Sequence, residues 1–340
     1  MKTILITGSS GQIGSELTTR LRKIYGARHV VATDIKPGGS GLEQEEGPFE
    51  TLDVNDQRAL HDVAGKYKVD TIIHLAALLS ATAEKSPLFA WHLNMGGLIN
   101  ALETAKELQC QFFAPSSIGV FGPASPKDST PQVTVQRPVT MYGINKVAGE
   151  LLCDYYYARF GVDTRGLRFP GLISYLTPPG GGTTDYAVEM FFEAVRSRAY
   201  TSYIGQGTFM DMMYMPDAID AIIALMEADP AKLVNRNAYN VSAMSFDPEL
   251  LAAEIRRSIP DFRLTYQVDP VRQQIAESWP DRLDITAARQ EWGFRPSYTL
   301  ERMAVDMLGH VAARLPVDHS IIAGSSCSSG TAPDGCRSRA

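Results

Sequence analysis

With 340 residues, the chain is long enough for a complete dinucleotide-binding domain plus a smaller second one, and needs no further full fold. Its 44% hydrophobic and 21% charged residues, with a net charge of -6, describe an ordinary soluble globular protein with no electrostatic pull toward nucleic acid or anionic membrane. Cys110, Cys153, Cys327 and Cys336 have neither C-x-x-C nor histidine spacing, which points to reduced structural thiols and no bound metal.

The first apolar run, residues 4–7, enters a turn carrying Gly8, Gly11 and Gly14, and apolar residues follow at helical spacing (Ile13, Leu17, Leu21). This predicts a strand, a glycine turn and a helix. Gly8 permits the tight turn, Gly11 lets backbone approach a pyrophosphate, and Gly14 lets the helix pack on the strand, with Gln12 and Ile13 in the same cofactor-binding stretch. The first gap, G-x-x-G, is one residue longer than in the common fingerprint. A strand this near the start leaves no room for a signal or transit peptide, and no apolar run approaches the roughly 20 residues that span a bilayer. A cytoplasmic location is therefore expected.

A second strand, residues 29–33, leads into Asp34, whose carboxylate can accept both adenosine ribose hydroxyls and would repel a 2′-phosphate. NAD is expected over NADP. After a polar loop (36–47), a third strand over 49–54 carries Asp53 and Val54 toward the adenine, although Asp53 or Asn55 could equally cap the next helix, 56–67. A buried strand, 69–75, delivers Leu75, Ala76 and Ala77, small enough for the cofactor to lie close, and Ser80 follows as a polar substrate contact. With the helix at 88–108 and the strand at 111–114, the βαβαβ rhythm defines an α/β fold with a doubly wound parallel (Rossmann) sheet.

That last strand ends in Pro115, Ser116 and Ser117, so two hydroxyls sit at the carboxyl end of a parallel strand, where doubly wound folds bind ligands. Farther on, Tyr142 and Lys146 open a helix. Four residues apart, they share one helical face and can hold one ligand between them. The strand 164–169 closes in Pro170 beside the cofactor. The rhythm then changes: LTPPGGGTTD (176–185) reads as a substrate-side loop, in which Thr183, Thr184 and Asp185 offer polar contacts, and 186–198 as a helix beside it. The methionine-rich run 210–215 reads as core filler in preference to a substrate contact.

The helix 216–228 and a strand over 238–241 rejoin the main sheet. Asp247 and Pro248 open a helix at 247–259, and segments at 264–268, 279–283, 285–292 and 300–314 complete a smaller α+β substrate domain. The division expected is 1–170 and 214–243 for the dinucleotide domain, and 171–213 and 244–316 for the substrate domain. The Ser-, Gly- and Pro-rich tail, 317–340, cannot bury enough apolar area to order itself.

Taken together, Gly8, Gly11, Gly14, Asp34, Ser117, Tyr142 and Lys146 resemble the extended short-chain dehydrogenase/reductase superfamily over roughly the first 315 residues. Within it, SSIGVFGP, RFPGLIS, GGGTTDYAVEMF, MMYMPDAI, ESWPDRLD and EWGFRP look like the L-threonine 3-dehydrogenases of epimerase-like fold. The resemblance implies NAD-dependent oxidation of a small amino-acid substrate, threonine, to 2-amino-3-oxobutyrate. It implies Tyr142 as base, Lys146 and Ser117 as its catalytic partners, Ser116 as a further substrate contact, and a homodimer formed through the helices at 88–108 and 147–159. The competing reading is a nucleotide-sugar epimerase or dehydratase. Those enzymes typically have asparagine soon after the arginine matching Arg168, where this chain has Phe169, Pro170 and Gly171. They also usually have arginine just before the aspartate matching Asp211, where this chain has Met210. A non-enzymatic NAD sensor is a third class, with little reason to keep Tyr142, Lys146 and Ser117 together.

Overall fold

A computed structural model of the chain describes residues 1–36, 46–176 and 182–315. The expectations for 37–45, for Gly180 and its neighbours (177–181), for Cys327 and Cys336 and for the tail lie outside these residues. The first half contains β1 (Ile4–Thr7), α1 (Gln12–Tyr25), β2 (Val30–Asp34), β3 (Phe49–Thr51), α2 (Gln57–Lys66), β4 (Thr71–His74), α3 (Ser80–Lys85), α4 (Pro87–Leu108), β5 (Gln111–Phe113), β6 (Ser116–Ser117), α5 (Met141–Phe160) and β7 (Thr164–Phe169). The second half contains β8 (Gly171–Ile173), α6 (Tyr186–Arg196), β9 (Ala199–Ser202), β10 (Met210–Tyr214), α7 (Met215–Glu227), β11 (Asn237–Asn240), β12 (Met244–Phe246), α8 (Pro248–Ser258), β13 (Arg263–Tyr266), α9 (Pro270–Ser278), α10 (Thr286–Trp292) and α11 (Leu300–Arg314).

The main sheet runs β11-β7-β5-β4-β1-β2-β3, with β6 beside β7, and every pairing is parallel. Helices cover both faces, which is why the central strands β1, β2 and β4 are near-continuous buried runs and do not alternate. Alternate residues still separate the two sides. Ile4 and Ile6 pack with Leu17, Leu21 and Ile222 beneath α1 and α7. Leu5 and Val31 pack with Leu60, Leu102, Phe112 and Tyr156 beneath α2, α4 and α5.

A second core lies beyond β7. There β10 pairs β8 in parallel and β12 antiparallel, and β9 pairs β13 in parallel. α6, α8 and α11 enclose Tyr186, Phe191, Phe246, Leu251, Ile255 and Met307. The methionine run forms β10 and is wholly buried: Met210 and Met212 enter this core, while Met213 and Met215 enter the core of the main sheet. Strand alternation thus makes the run the seam between two cores, a place suited to a flexible gap-filling side chain.

The expected strand over 238–241 is β11, and it does rejoin the sheet beside β7. Other boundaries differ. β3 stops at Thr51 because Asp53 turns the chain, its side chain accepting from Asn55 N and its carbonyl from Asp56 N. The cap of α2 is accordingly Asp56, which accepts from Ala59 N, and is neither Asp53 nor Asn55. Segment 279–283 is irregular: it makes one bridge, Leu283 with Thr130, and is tied by Asp281 N and Arg282 N donating to Lys127 O and by Thr130 N donating to Arg282 O. α3, β8, β9 and β12 are too short for periodicity to announce them. Among the described residues, no helix is long and apolar enough to cross a membrane.

The cap anticipated for α8 is present, Asp247 accepting from Leu250 N at 2.9 Å and also from Gly207 N at 2.9 Å, which ties the loop before β10 to the helix. Asp247→Ala leaves two backbone donors unpaired. It should lower unfolding stability by about 1–2 kcal/mol, read as the midpoint of urea denaturation.

Candidate active site

The carboxyl edge of the main sheet opens into a cleft of about 230 Å³. The glycine turn forms its floor. Gly8 has φ +69°, and a Cβ on Gly14 would lie 2.3 Å from the Gly8 carbonyl oxygen, so α1 can approach β1 this closely only through a glycine. Asp34, at the end of β2, accepts from Ser10 N at 3.0 Å and Ile35 N at 2.8 Å, which locks the turn to the carboxylate expected to meet the ribose. Ser9 Oγ, Ser10 Oγ and Gln12 Nε2 are buried at the same turn without a hydrogen-bond partner among the described residues. Unpaired donors around a helix N-terminus suit a pyrophosphate. These residues therefore fit NAD.

The opposite wall is built by β6, the turn after it and the start of α5. Thr140 caps α5 by accepting from Gly143 N at 3.1 Å. A Cβ on Gly143 would stand 2.2 Å from the Gly119 carbonyl oxygen, so glycine after the tyrosine lets α5 press its first turn against residues 117–119. This brings Tyr142 to Ser117, which hydrogen-bonds its phenol and also accepts from Gly119 N at 3.1 Å. Lys146 Nζ lies 5.5 Å from the centre of the Tyr142 ring and donates to Pro115 O at 2.7 Å.

Burial pushes the Tyr142 phenol above its ordinary value, with the Ser117 hydrogen bond pulling back, and pushes the Lys146 ammonium down to about 8. Desolvation outweighs the Ser117 hydrogen bond, so the chain alone does not lower the tyrosine. Behind Lys146, burial and the lysine charge push His74 down to about 3. It is a neutral imidazole whose Nδ1 lies 2.9 Å from Thr7 Oγ1, part of the frame.

The cleft gathers Gly8, Gly11, Gln12, Ile13, Gly14, Leu75, Ala77, Ser80, Ser117, Tyr142, Lys146, Pro170, Thr183, Thr184 and Asp185. Thr183 Oγ1 is buried and has no partner among the described residues, while Asp185 accepts from Gly182 N at 2.6 Å. Not every expected residue is brought there. Ser116 points away from the cleft and donates to Glu150, because successive strand side chains face opposite ways. Ala76 lines a cavity behind Lys146 as well, and Asp53 and Val54 lie outside the cleft, at the end of β3.

Trp279 and Leu79 also line the cleft. Neither shows in periodicity, since both stand in irregular segments. Trp279 shares a buried cluster with Ile118, Phe121 and Leu283, and Asp211, fully buried on β10, accepts from Leu283 N at 2.7 Å and from Ser242 Oγ at 2.5 Å.

A dinucleotide-gripping turn facing a serine, tyrosine and lysine group across one cleft defines a nicotinamide-dependent enzyme of the doubly wound class. The model of the NAD dependent epimerase/dehydratase family matches residues 4–242, and the chain belongs to that family, whose cofactor is NAD. An uncharacterised epimerase/dehydratase of Staphylococcus saprophyticus is 60% identical over 314 residues, 92% of this chain and 98% of that one. Among solved structures, the L-threonine dehydrogenase of Clostridium difficile is 60% identical, with a TM-score of 0.91 over 92% of this chain and 98% of the other. A monomeric L-threonine 3-dehydrogenase from a metagenome is 42% identical, with a TM-score of 0.88 over 92% and 99%.

Burial raises the Asp211 carboxyl to about 7. The native state then holds a proton that the unfolded chain releases near pH 4. This contribution to stability is whole below about pH 4, falls as pH rises, and levels off above about 7. Comparing urea unfolding at pH 5 and pH 8, wild type should lose more stability with rising pH than Asp211→Asn.

Proposed function

We propose that the chain oxidises L-threonine to 2-amino-3-oxobutyrate with NAD. The observation that carries this reading is the Ser117–Tyr142–Lys146 group facing, across the cleft, the unpaired hydroxyl of Thr183. The likeness to two threonine dehydrogenases across almost the whole chain supports it. Tyr142 accepts the proton of the substrate β-hydroxyl. Ser117 donates to the reacting oxygen, orienting it as charge develops. Lys146, held by Pro115 O, stabilises the phenolate and would hold the nicotinamide ribose when NAD is bound. NAD, when bound, supplies the hydride acceptor.

The substrate side is built for a small zwitterion. Thr183, Thr184 and Ser80 offer hydroxyls to a carboxylate, and Asp185 a negative charge to an ammonium. Among the described residues lining the cleft, Lys146 is the one cation. Arg168, the nearest candidate in sequence, is spent on Glu150. A nucleotide sugar would bring a diphosphate with no guanidinium to meet it.

The reading includes a homodimer. α4 and α5 pack together and leave Leu88, Ile99, Leu151 and Tyr155 on their outer surface, an apolar face that a second copy would cover. Because one similar enzyme is monomeric, sedimentation velocity of the chain and of Leu151→Glu decides the matter. Dimers are expected for the first and monomers for the second.

The function is tested by kcat/KM across L-threonine, D-threonine, L-allo-threonine, L-serine and UDP-sugars. L-Threonine should lead, and preferred turnover of a UDP-sugar would reject the assignment. Tyr142→Phe should lower kcat by about 10²–10⁴-fold while leaving the NAD dissociation constant near wild type. Thr183→Val, which removes only the hydroxyl, should raise KM for threonine.

A further inference from the structure

Three consecutive residues, 115, 116 and 117, each touch a different turn of α5. Pro115 O receives Lys146, Ser117 meets Tyr142, and between them Ser116 Oγ donates to Glu150. Tyr142, Lys146 and Glu150 are spaced four apart and form one row on the helix. Two of these contacts involve the groups assigned to the chemistry. The third is buried behind them, with Ser116 at 6% and Glu150 at 7% exposure.

Glu150 is fixed from its far side. Arg168 donates from Nε to Oε1 at 3.0 Å and from Nη2 to Oε2 at 2.8 Å, and Gln136 Nε2 donates to Oε2 at 2.7 Å. Ser116 and Arg168 are partners in the β6–β7 ladder, so both reach the same carboxylate from one side of the sheet. Glu150 therefore cannot shift without disturbing a buried ion pair, whereas β6 is only two residues long and pairs β7 at Ser116 and Ser117 alone.

We propose that Ser116 and Glu150 are a positioning pair whose hydrogen bond sets the register of residues 115–117 along α5, and with it the placement of the Ser117 hydroxyl on Tyr142 and of the Pro115 carbonyl on Lys146. The kinetic consequence rests on the threonine dehydrogenase reading. A misplacement of about 1 Å at reacting groups costs on the order of 100-fold in rate, so the pair acts on turnover without touching substrate.

The test uses the full chain with NAD. Truncating Glu150 would leave Arg168 buried and unpaired, so Ser116→Ala is the informative variant: it cuts the tether and keeps the ion pair. At saturating L-threonine its kcat should fall at least about tenfold, with the NAD dissociation constant and melting temperature close to wild type. A kcat within a factor of two of wild type would overturn the proposal. A fall explained wholly by lost folded protein would do so too. Should wild type turn over no threonine, the functional reading fails by itself. The pair is then read from the titration midpoint of the Tyr142 phenol, followed by ring-¹³C-tyrosine NMR and assigned with Tyr142→Phe. A displaced midpoint in Ser116→Ala supports the tether, and an unchanged one removes it.

Discussion

Parallel pairing throughout the main sheet is the constraint from which the rest follows, because it delivers the carboxyl end of every strand to one edge. Residues far apart in the chain meet there without any contact chosen for the purpose: the glycine turn after β1, Asp34 after β2, Leu75 after β4, Ser117 on β6 and Pro170 after β7. Loops at that edge are free to carry chemistry, since the strands below are held by buried aliphatic packing on both faces. Close approach of α1 to β1 through Gly14, and of α5 to residues 117–119 through Gly143, converts this edge into two facing walls.

Burying polar groups beneath such an edge is costly unless each is paired, and the chain meets that cost with a few multiply bonded carboxylates. Glu150 takes donors from Ser116, Arg168 and Gln136. Asp211 ties β10 to residue 283 and so to the segment bearing Trp279. Asp217, near the start of α7, accepts from Ser297 N at 2.9 Å and Tyr298 N at 3.0 Å, fastening the approach to α11.

Much of the dinucleotide half was legible in the sequence because its signals are local. A glycine that must take φ +69°, a helix that follows a strand at once, and an acidic residue at a strand end are each written in a few adjacent residues. The pairing of Tyr142 with Lys146 is local in the same way, set by helical repeat. What was not legible was orientation. Ser116 and Ser117 look alike in sequence, yet strand alternation sends one to Glu150 and the other to the cleft. Trp279 and Leu79 gave no periodic signal, and Trp279 reaches the cleft through a buried cluster with Leu283 and with Ile118 and Phe121, which lie far off in the chain.

The sequence by itself determined the alternation of strand and helix, the glycine turn, the acidic residue after β2, and the pairing of a tyrosine with a lysine one turn apart. All of these rest on backbone sterics and on periods of two or 3.6 residues, which need no knowledge of the distant chain. Only the tertiary structure decided which face of each element points inward, and which buried carboxylate finds which partner. The state of two buried cleft groups was decided there too: Tyr142 raised and Lys146 lowered to about 8. Desolvation depends on everything packed around a group, and that density is a property of the folded chain.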